Sequence, residues 1–223
     1  SGEGYHYQQS LALFARSKYG DGSFNYRLFK EKNIDHFEAF IMRNDNGDYN
    51  IFDAVGNGLV QDILDVQAFQ PIILFINGEY WGILNMMEKI NEHYISGNYG
   101  INADSVDVLN GFETANPYYN AGWPIAGDID EYAELINFLR SHDLSINANY
   151  EKVQTMIDIP SYVTYQIAEI YMANVDWPGN NTKFWREKGA SGKWRWIVFD
   201  IDAGLAAWWE DGFDASYNTL EIA

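Results

Sequence analysis

The sequence predicts an α+β protein in which an antiparallel five-stranded sheet lobe is followed by a mainly helical lobe. Strand patterns and turn residues fill residues 1–95, with one helix inserted among them, whereas residues 96–223 carry three helical patterns and a hairpin. Hydrophobic residues make up 47% of the 223 residues and aromatic residues 17%, which is enough for a large core. We therefore expect one domain built from two lobes that meet near residue 95.

Five strands are expected in the first lobe. Two of them form a hairpin around Asn77-Gly78, a dipeptide that favours the tight turns of β-hairpins. Two others flank Gly20 and Gly22, whose freedom at positive φ suits a turn, and the remaining strand ends on Arg43. The strands are predicted at residues 10–17, 24–29, 37–43, 72–76 and 80–84.

Helical patterns are recognised by a longer spacing. Leu59, Ile63 and Val66 recur every three or four residues, which predicts an amphipathic helix between the third and fourth strands. Pro160 suits the first turn of a later helix. The helices are predicted at residues 57–69, after 88 to about 94, 128–140, 147–157 and from 160 to just before 176. Residues 100–127 carry no regular pattern, which indicates a lid or binding loop.

Charge and composition exclude several classes of function. The 32 acidic residues outnumber the 14 basic ones, for a formal net charge of -18, whereas nucleic acids and anionic membranes require clustered Lys and Arg. We therefore expect no nucleic-acid partner. The absence of Cys excludes disulfides, thiolate zinc sites and cysteine nucleophiles. No run approaches the roughly 20 apolar residues that a membrane-spanning helix needs, so no membrane span is expected in this chain.

The first residues have the features of a cut end. The chain begins Ser1-Gly2-Glu3-Gly4, without Met, a basic region or an apolar stretch. We expect from this either residues added for expression or the cut end of a longer chain, with any targeting segment outside the sequence.

Residues 174–181 and 198–204 carry the strongest chemical pattern. Asp176 follows the last predicted helix, and Asn181 stands five positions later, which is the spacing of a carboxylate that orients a hydroxyl and an amide that ligates a metal in kinase catalytic loops. A predicted hairpin then returns Asp200 to the side of Asn181. Ligands of oxygen alone favour Mg²⁺ or Mn²⁺ over zinc.

Simpler interpretations of the same residues remain open. An Asp and an Asn five positions apart are common by chance and usually mark a turn. Asp200 and Asp202, at the end of a strand, also fit a pair of capping residues or a fragment of a calcium loop.

Three segments, residues 76–90, 174–181 and 194–202, together resemble the CotH family, which is named for a bacterial spore-coat protein and is similar to atypical protein kinases. The resemblance runs from about Leu11 to Gly204. It implies a two-lobed protein-kinase-like fold within a single domain. It also implies ATP-dependent phosphorylation of Ser or Thr in a partner protein, with ATP and Mg²⁺ (or Mn²⁺) as cofactors.

The resemblance also implies a role for each acidic residue. Asp176 matches the acid of the kinase catalytic loop, Asn181 its metal-binding amide, and Asp200 the metal-binding acid at the end of the hairpin. Asp202 competes with Asp200 for that role, because it is followed by Ala203 and Gly204 in an Asp-x-Gly sequence.

Some positions depart from the kinase pattern. Asn174 stands where kinases usually carry His, and Arg43 ends the third strand where kinases carry the Lys that holds phosphate. Arg43 is able to clamp phosphate with two nitrogens, with Asp62 orienting it, although a surface ion pair is an equal alternative. Glu88 stands where a kinase hinge would be, and it either contacts a ribose hydroxyl or starts a helix.

Two functions from different classes follow. The first is a CotH-like, metal-dependent protein kinase. The alternative is a catalytically inactive kinase-like module for binding or adhesion, working through the aromatic-rich residues 118–123. For either function we expect a location at a bacterial cell surface or spore coat. A calcium-stabilised carbohydrate-binding domain is a third interpretation.

Overall fold

The computed structural model describes residues 9–44, 52–111, 123–205 and 218–221. Across these residues the chain forms five α-helices and two β-sheets, so the predicted α+β class is confirmed. Within the same ranges, no helix has the length and apolar character needed to cross a bilayer. The two-lobed kinase-like arrangement and the boundary between residues 95 and 96 stay predictions.

Nine strands are present in the described residues: β1 (Leu11–Phe14), β2 (Ala39–Arg43), β3 (Asp65–Val66), β4 (Phe69–Ile76), β5 (Glu79–Glu88), β6 (Val106–Asn110), β7 (Trp123–Ala126), β8 (Lys183–Glu187) and β9 (Arg195–Val198). The helices of the same ranges are α1 (Phe52–Val60), α2 (Glu92–Tyr99), α3 (Asp130–Ser141), α4 (Asn147–Met156) and α5 (Ile159–Tyr171). The first sheet has the order β1-β2-β5-β4, and the second has the order β3-β9-β8-β6-β7.

The first sheet is antiparallel, but it has four strands where five were predicted. Residues 24–29 do not form the expected strand. Within the described residues, their backbone forms only an isolated bridge, between Phe24 and Phe37 just before β2. Their aromatic rings instead cover one face of the sheet: Phe29 is fully buried, and the ring of Phe24 lies 5.0 Å from that of Phe40. Burying these rings against the sheet face competes with pairing at the sheet edge, and here burial prevails.

The hairpin around Asn77-Gly78 is confirmed. Both residues have positive φ, 53° and 85°, as the tight turn between β4 and β5 requires. Because β5 lies between β4 and β2, this hairpin sets the position of Arg43, which is paired with Asn85. The hairpin therefore fixes where the cation at the end of β2 lies.

The helix predicted at residues 57–69 is wrong in its bounds. The helix observed is α1, which ends at Val60, and the chain then becomes the short strand β3. β3 pairs in parallel with β9, Asp65 opposite Ile197. Leu64, Val66 and Ala68 are buried at every second position, as in a strand. Pairing with the distant strand β9 therefore decides against the helix in this segment.

The second sheet corrects the prediction of a structureless loop at residues 100–127. That region contains β6 and β7, and β6 pairs with β8 in the centre of the sheet. Val106, Asp107, Val108 and Leu109 are all buried, so the strand lacks the alternation of apolar and polar residues that marks a half-buried strand. Residues 112–122 lie outside the described ranges.

The helices α3, α4 and α5 were predicted and are confirmed. At the start of α5, the side chain of Asp158 accepts a hydrogen bond from the Ser161 amide at 3.2 Å, and Pro160 occupies the first turn. These helices pack with the second sheet into an apolar core that includes Tyr165, Trp177, Phe184, Trp194 and Trp196. The end of α5 thereby delivers the chain to residues 174–181.

Close packing joins α1 to the segment after β9. A Cβ atom placed on Gly56 would lie 2.0 Å from Cδ1 of Ile201. Only a residue without a side chain allows the helix to approach this closely, so Gly56 holds the first turns of α1 against residues 200–204.

We expect Gly56→Ala to lower the free energy of unfolding by about 1–3 kcal/mol, because the added methyl group forces α1 away from Ile201. Gly58→Ala on the same helix is the matched control, because nothing lies within 4 Å of its Cβ position. That change should be neutral or stabilising by up to about 1 kcal/mol. Chemical denaturation of both variants measures the difference, and equal effects would contradict the close approach.

Candidate active site

Arg43 lies at the centre of a cluster of carboxylates. Its Nη1 atom is 2.5 Å from Oδ1 of Asp200 and 3.8 Å from Oδ2 of Asp53. Its Nη2 atom is 4.0 Å from Oδ2 of Asp202. One guanidinium from β2 therefore connects the first turn of α1 with the segment after β9, and the surface ion pair considered from the sequence is instead a partly buried network.

Asp53 is the acid in this cluster that the sequence interpretation missed. It is 2% exposed, and its Oδ1 atom accepts hydrogen bonds from Asn57 Nδ2 at 3.0 Å and from the Ile201 amide at 3.2 Å. It therefore fixes both its own helix and the backbone beside Asp200. The sequence interpretation had named Asp62, which follows the end of α1, as the residue that orients Arg43, whereas the carboxylate of α1 that faces Arg43 is that of Asp53.

Asn181 lies between the other two predicted site acids. Its Nδ2 atom donates to the backbone oxygen of Asp200 at 3.0 Å and to Oδ2 of Asp176 at 3.3 Å. The hairpin formed by β8 and β9 separates Asn181 from Asp200 by 19 residues and brings them together, as its predicted course requires. Asp176, Asn181 and Asp200 thus form one contiguous polar surface.

Two of these residues have an unusual backbone conformation. Asn181 has φ of 55° and Asp200 has φ of 57°, in the left-handed region that L-residues other than Asn, Asp and Gly rarely adopt. Such conformations cost of order 1 kcal/mol or more and persist where the surrounding structure requires them, which is common at functional sites. With these conformations, the Asn181 side-chain amide reaches the Asp200 backbone oxygen.

The Asp176 segment is anchored through its neighbour. Trp177 is 2% exposed and packs edge-to-face against Tyr165, with ring centroids 6.5 Å apart. The Asp176 backbone oxygen accepts from the Asn180 amide at 2.8 Å. Partial burial raises the pKa of Asp176, and the charge of Asp200 raises it further. The carboxylate at the edge of the core is therefore more basic than that of an unperturbed Asp.

Lys183 is the second cation near the site, after Arg43, and the sequence interpretation missed it. Its Nζ atom donates to Asn110 Oδ1 at 2.9 Å and lies 3.2 Å from the centroid of the Phe199 ring. Burial lowers its pKa to about 8, the charge of Asp200 opposes this shift, and Lys89 and Arg43 add to it. The charges of Asp200, Lys89 and Arg43 therefore all act on Lys183.

A signal for Lys183 was present in the sequence. It stands two residues after Asn181 on a predicted strand, so its side chain points to the same face as that residue. Nothing comparable marked Asp53, because its contact with the Ile201 amide joins residues 148 positions apart.

Glu88 is used in contacts within the protein. It ends β5, and its carboxylate accepts from the Ala68 amide at 2.8 Å, pairs with Lys32 at 2.9 Å and accepts from Asn98 at 3.1 Å. The expectation that Glu88 starts a helix is wrong, because α2 begins at Glu92. These contacts account for Glu88 as a structural residue, and its contact with a nucleotide ribose stays a prediction.

The predicted metal ligands suit a cation that is shared with phosphate. Within the described ranges, no group of three or more His, Cys, Asp or Glu residues is arranged to hold a metal ion. Mg²⁺ at nucleotide sites needs only one or two protein ligands, because phosphate oxygens and water complete its shell. Asn181 donates through nitrogen to both neighbours, which leaves its amide oxygen for a cation, and Asp200 uses Oδ1 for Arg43. The oxygen donors of Asn181 and Asp200, with Asp202 nearby, therefore fit Mg²⁺ or Mn²⁺.

The surface proposed for the adhesion alternative lies mostly outside the described residues. Of residues 118–123, only Trp123 is described, at the start of β7, and its side chain is exposed.

Comparison with known proteins identifies the family. No curated protein matches the chain. A family model described as CotH kinase protein matches residues 5–222, which is nearly the whole chain. The match spans both β2, which carries Arg43, and the hairpin that carries Asn181 and Asp200. The chain therefore belongs to the CotH kinase protein family.

Proposed function

We propose that this protein is a metal-dependent kinase that transfers the terminal phosphate of ATP to a Ser or Thr hydroxyl of another protein. One observation carries the proposal: Arg43 and Asp200, 157 residues apart in sequence, meet in a direct ion pair beside Asn181 and Asp176. A guanidinium, an amide and two carboxylates in one place match what phosphoryl transfer requires, which is positioning and neutralisation of charge.

Arg43 and Lys183 would hold the phosphates. The guanidinium presents parallel N–H groups that match two phosphate oxygens, and the ammonium of Lys183 adds a point charge from the opposite sheet. When Arg43 turns to phosphate, it releases Oδ1 of Asp200. The cluster thus exchanges one cation for another, and the carboxylates of Asp53, Asp200 and Asp202 keep a counterion throughout.

Asn181 and Asp200 would hold the metal, with Asp202 as the second carboxylate. Mg²⁺ or Mn²⁺ held by these residues would supply positive charge that offsets the negative charge of the phosphate in the transition state. Asp53 keeps the Asp200 segment in place through the Ile201 amide, so the ligand does not depend on the cation for its position.

Asp176 would accept a hydrogen bond from the acceptor hydroxyl and orient it toward the phosphate. Its raised pKa makes it a better proton acceptor than an Asp with an unshifted pKa. The Asn181 amide, 3.3 Å from Oδ2 of Asp176, fixes the rotation of the carboxylate.

A second candidate function is the binding of another protein by the same fold, without phosphate transfer. The β4–β5 hairpin exposes five large side chains: Ile73, Phe75, Tyr80, Trp81 and Ile83. Contiguous exposed apolar surface is typical of a site that binds another protein. This observation supports a binding or adhesion module, which would be indifferent to ATP and Mg²⁺. A location at a bacterial cell surface or spore coat stays a prediction for either function.

Asp176→Asn should lower phosphate transfer from ATP by at least about 10²-fold, because the amide cannot accept the hydroxyl proton. The measurement is incorporation of labelled phosphate into the protein itself or into casein in the presence of Mg²⁺. Asp104→Asn, an exposed acid in the 3₁₀ turn before β6, is the control and should retain full activity. Transfer at the wild-type rate in Asp176→Asn would contradict the assignment of Asp176.

ATP with Mg²⁺ should raise the melting temperature of the wild type, because a ligand that binds only the folded state stabilises it, by about 2.7 kcal/mol at 100 times Kd. ATP alone should have a smaller effect. In Asp200→Ala the Mg²⁺-dependent part of the shift should disappear. The control is Asp104→Ala, which should keep the whole shift. A folded wild type that shows no shift would favour the binding module instead.

A further inference from the structure

The last turns of α5 bury a carboxylate that the proposed phosphate transfer does not use. Glu169 is fully buried, and its Oε2 atom accepts a hydrogen bond from Asn174 Nδ2 at 2.9 Å. Buried carboxylates are costly unless they are compensated, so one that persists this close to a candidate site calls for a physical role.

Asn174 connects this carboxylate to the candidate catalytic acid. Asn174 is also fully buried, and its Oδ1 atom accepts the backbone N–H of Asp176 at 3.3 Å. Its own backbone N–H donates to the Glu169 carbonyl at 3.2 Å. The chain of contacts runs from the Glu169 carboxylate, through the Asn174 amide, to the Asp176 backbone.

Glu169 fixes which atoms donate and which accept in this series of hydrogen bonds. An ionised carboxylate only accepts hydrogen bonds, so the amide nitrogen of Asn174 must face it and the amide oxygen must face Asp176. The hydrogen bond to a charged acceptor is stronger than one to a neutral acceptor. Ionised Glu169 therefore holds Asn174 in the one orientation that binds the Asp176 amide.

Other groups around Glu169 set its charge state. Burial raises its pKa to about 7, the hydrogen bond from Asn174 and the neighbouring Tyr165 hydroxyl oppose that shift, and the charge of Asp53 adds to it. Among the described residues, the groups that face Glu169 are Tyr165 from its own helix, Asp53 from α1 and Asn174 from the segment after α5. The carboxylate is therefore poised to exchange a proton near neutral pH.

We propose that Glu169 is a positioning residue, which acts through Asn174 to hold the backbone of Asp176, and that protonation of Glu169 loosens the Asp176 segment. The consequence for catalysis rests on the proposed function, but the consequence for the Asp176 backbone does not.

Stability and positioning respond to pH in opposite directions. The pKa of Glu169 is about 7 in the folded state, against an ordinary value of 4.5, so the folded state binds more protons between these values. The free energy of unfolding contributed by Glu169 is thus greatest at low pH and falls as pH rises through this range. Its hold on Asn174 increases over the upper part of the range, so the positioned state is obtained at some expense of stability.

Hydrogen exchange at the Asp176 amide tests the proposal directly. Protection factors are measured by NMR from about pH 5.5 to about pH 8.5, on both sides of the pKa of Glu169. In the wild type, protection should rise about three- to tenfold through about pH 7, as the hydrogen bond to Asn174 strengthens. Glu169→Gln keeps the acceptor oxygen and removes the titration, so the step should disappear. Asp107→Asn, a buried carboxylate paired with Arg186 in the second sheet, is the control and should leave the step unchanged.

A double-mutant cycle shows whether Glu169 acts through Asn174. Glu169→Ala and Asn174→Ala should each lower protection at Asp176, and the double variant should lose no more than the larger single loss. Additive losses would overturn the proposal, as would a pH step that persists in Glu169→Gln. If Glu169→Ala fails to fold, Asn174→Ala and Glu169→Gln complete the cycle.

Activity supplies a separate comparison. With ATP, Mg²⁺ and casein, Asn174→Ala should lower kcat by more than threefold with little change in KM for ATP, because Asp176 and not the nucleotide is displaced. A rise in KM with unchanged kcat would contradict the positioning role. If the wild type transfers no phosphate at all, the proposed function fails, and the exchange measurement still decides the role of Glu169.

Discussion

The ion pairs of Arg43 are the constraint on which the rest of the candidate site depends. A single guanidinium at the end of β2 faces carboxylates of Asp53, Asp200 and Asp202. Removing one partner of such a cluster would leave partly buried charges without compensation, which costs more than the pair itself contributes. The first sheet, α1 and the segment after β9 are therefore held in one relative position by charge, and Gly56 permits the close contact that this position needs.

The same cluster would allow an acidic chain to bind the polyanion that the proposed function requires. The charges of Asp200, Lys89 and Arg43 all act on Lys183. A formal net charge of -18 repels ATP at long range, but the local field at the site is set by the cations within a few ångströms. A divalent cation accompanying the nucleotide would reduce the long-range repulsion and find oxygen ligands on Asn181 and Asp200.

The sequence predicted those parts of the fold that depend on short-range chemistry. Asn77-Gly78 defined a hairpin, Pro160 defined the start of α5, and the spacing of Asp176, Asn181 and Asp200 anticipated side chains that do lie together. The failures share one cause, which is that contacts distant in sequence decided the outcome. Residues 24–29 cover the sheet instead of joining it, and Val66 pairs with β9 instead of extending a helix. Asp53 was missed because its role exists only when α1 meets Ile201.

The central claim is that Asp200 exchanges Arg43 for a metal ion when nucleotide binds. The measurement that tests it most directly is a crystal structure with a non-hydrolysable ATP analogue and Mn²⁺, with the metal located by its anomalous scattering. The account predicts an Mn²⁺ peak within bonding distance of Asn181 Oδ1 and an Asp200 carboxylate oxygen, with Arg43 on a phosphate. A nucleotide bound elsewhere, or bound here with the Arg43–Asp200 pair intact and no metal at Asp200, would contradict it.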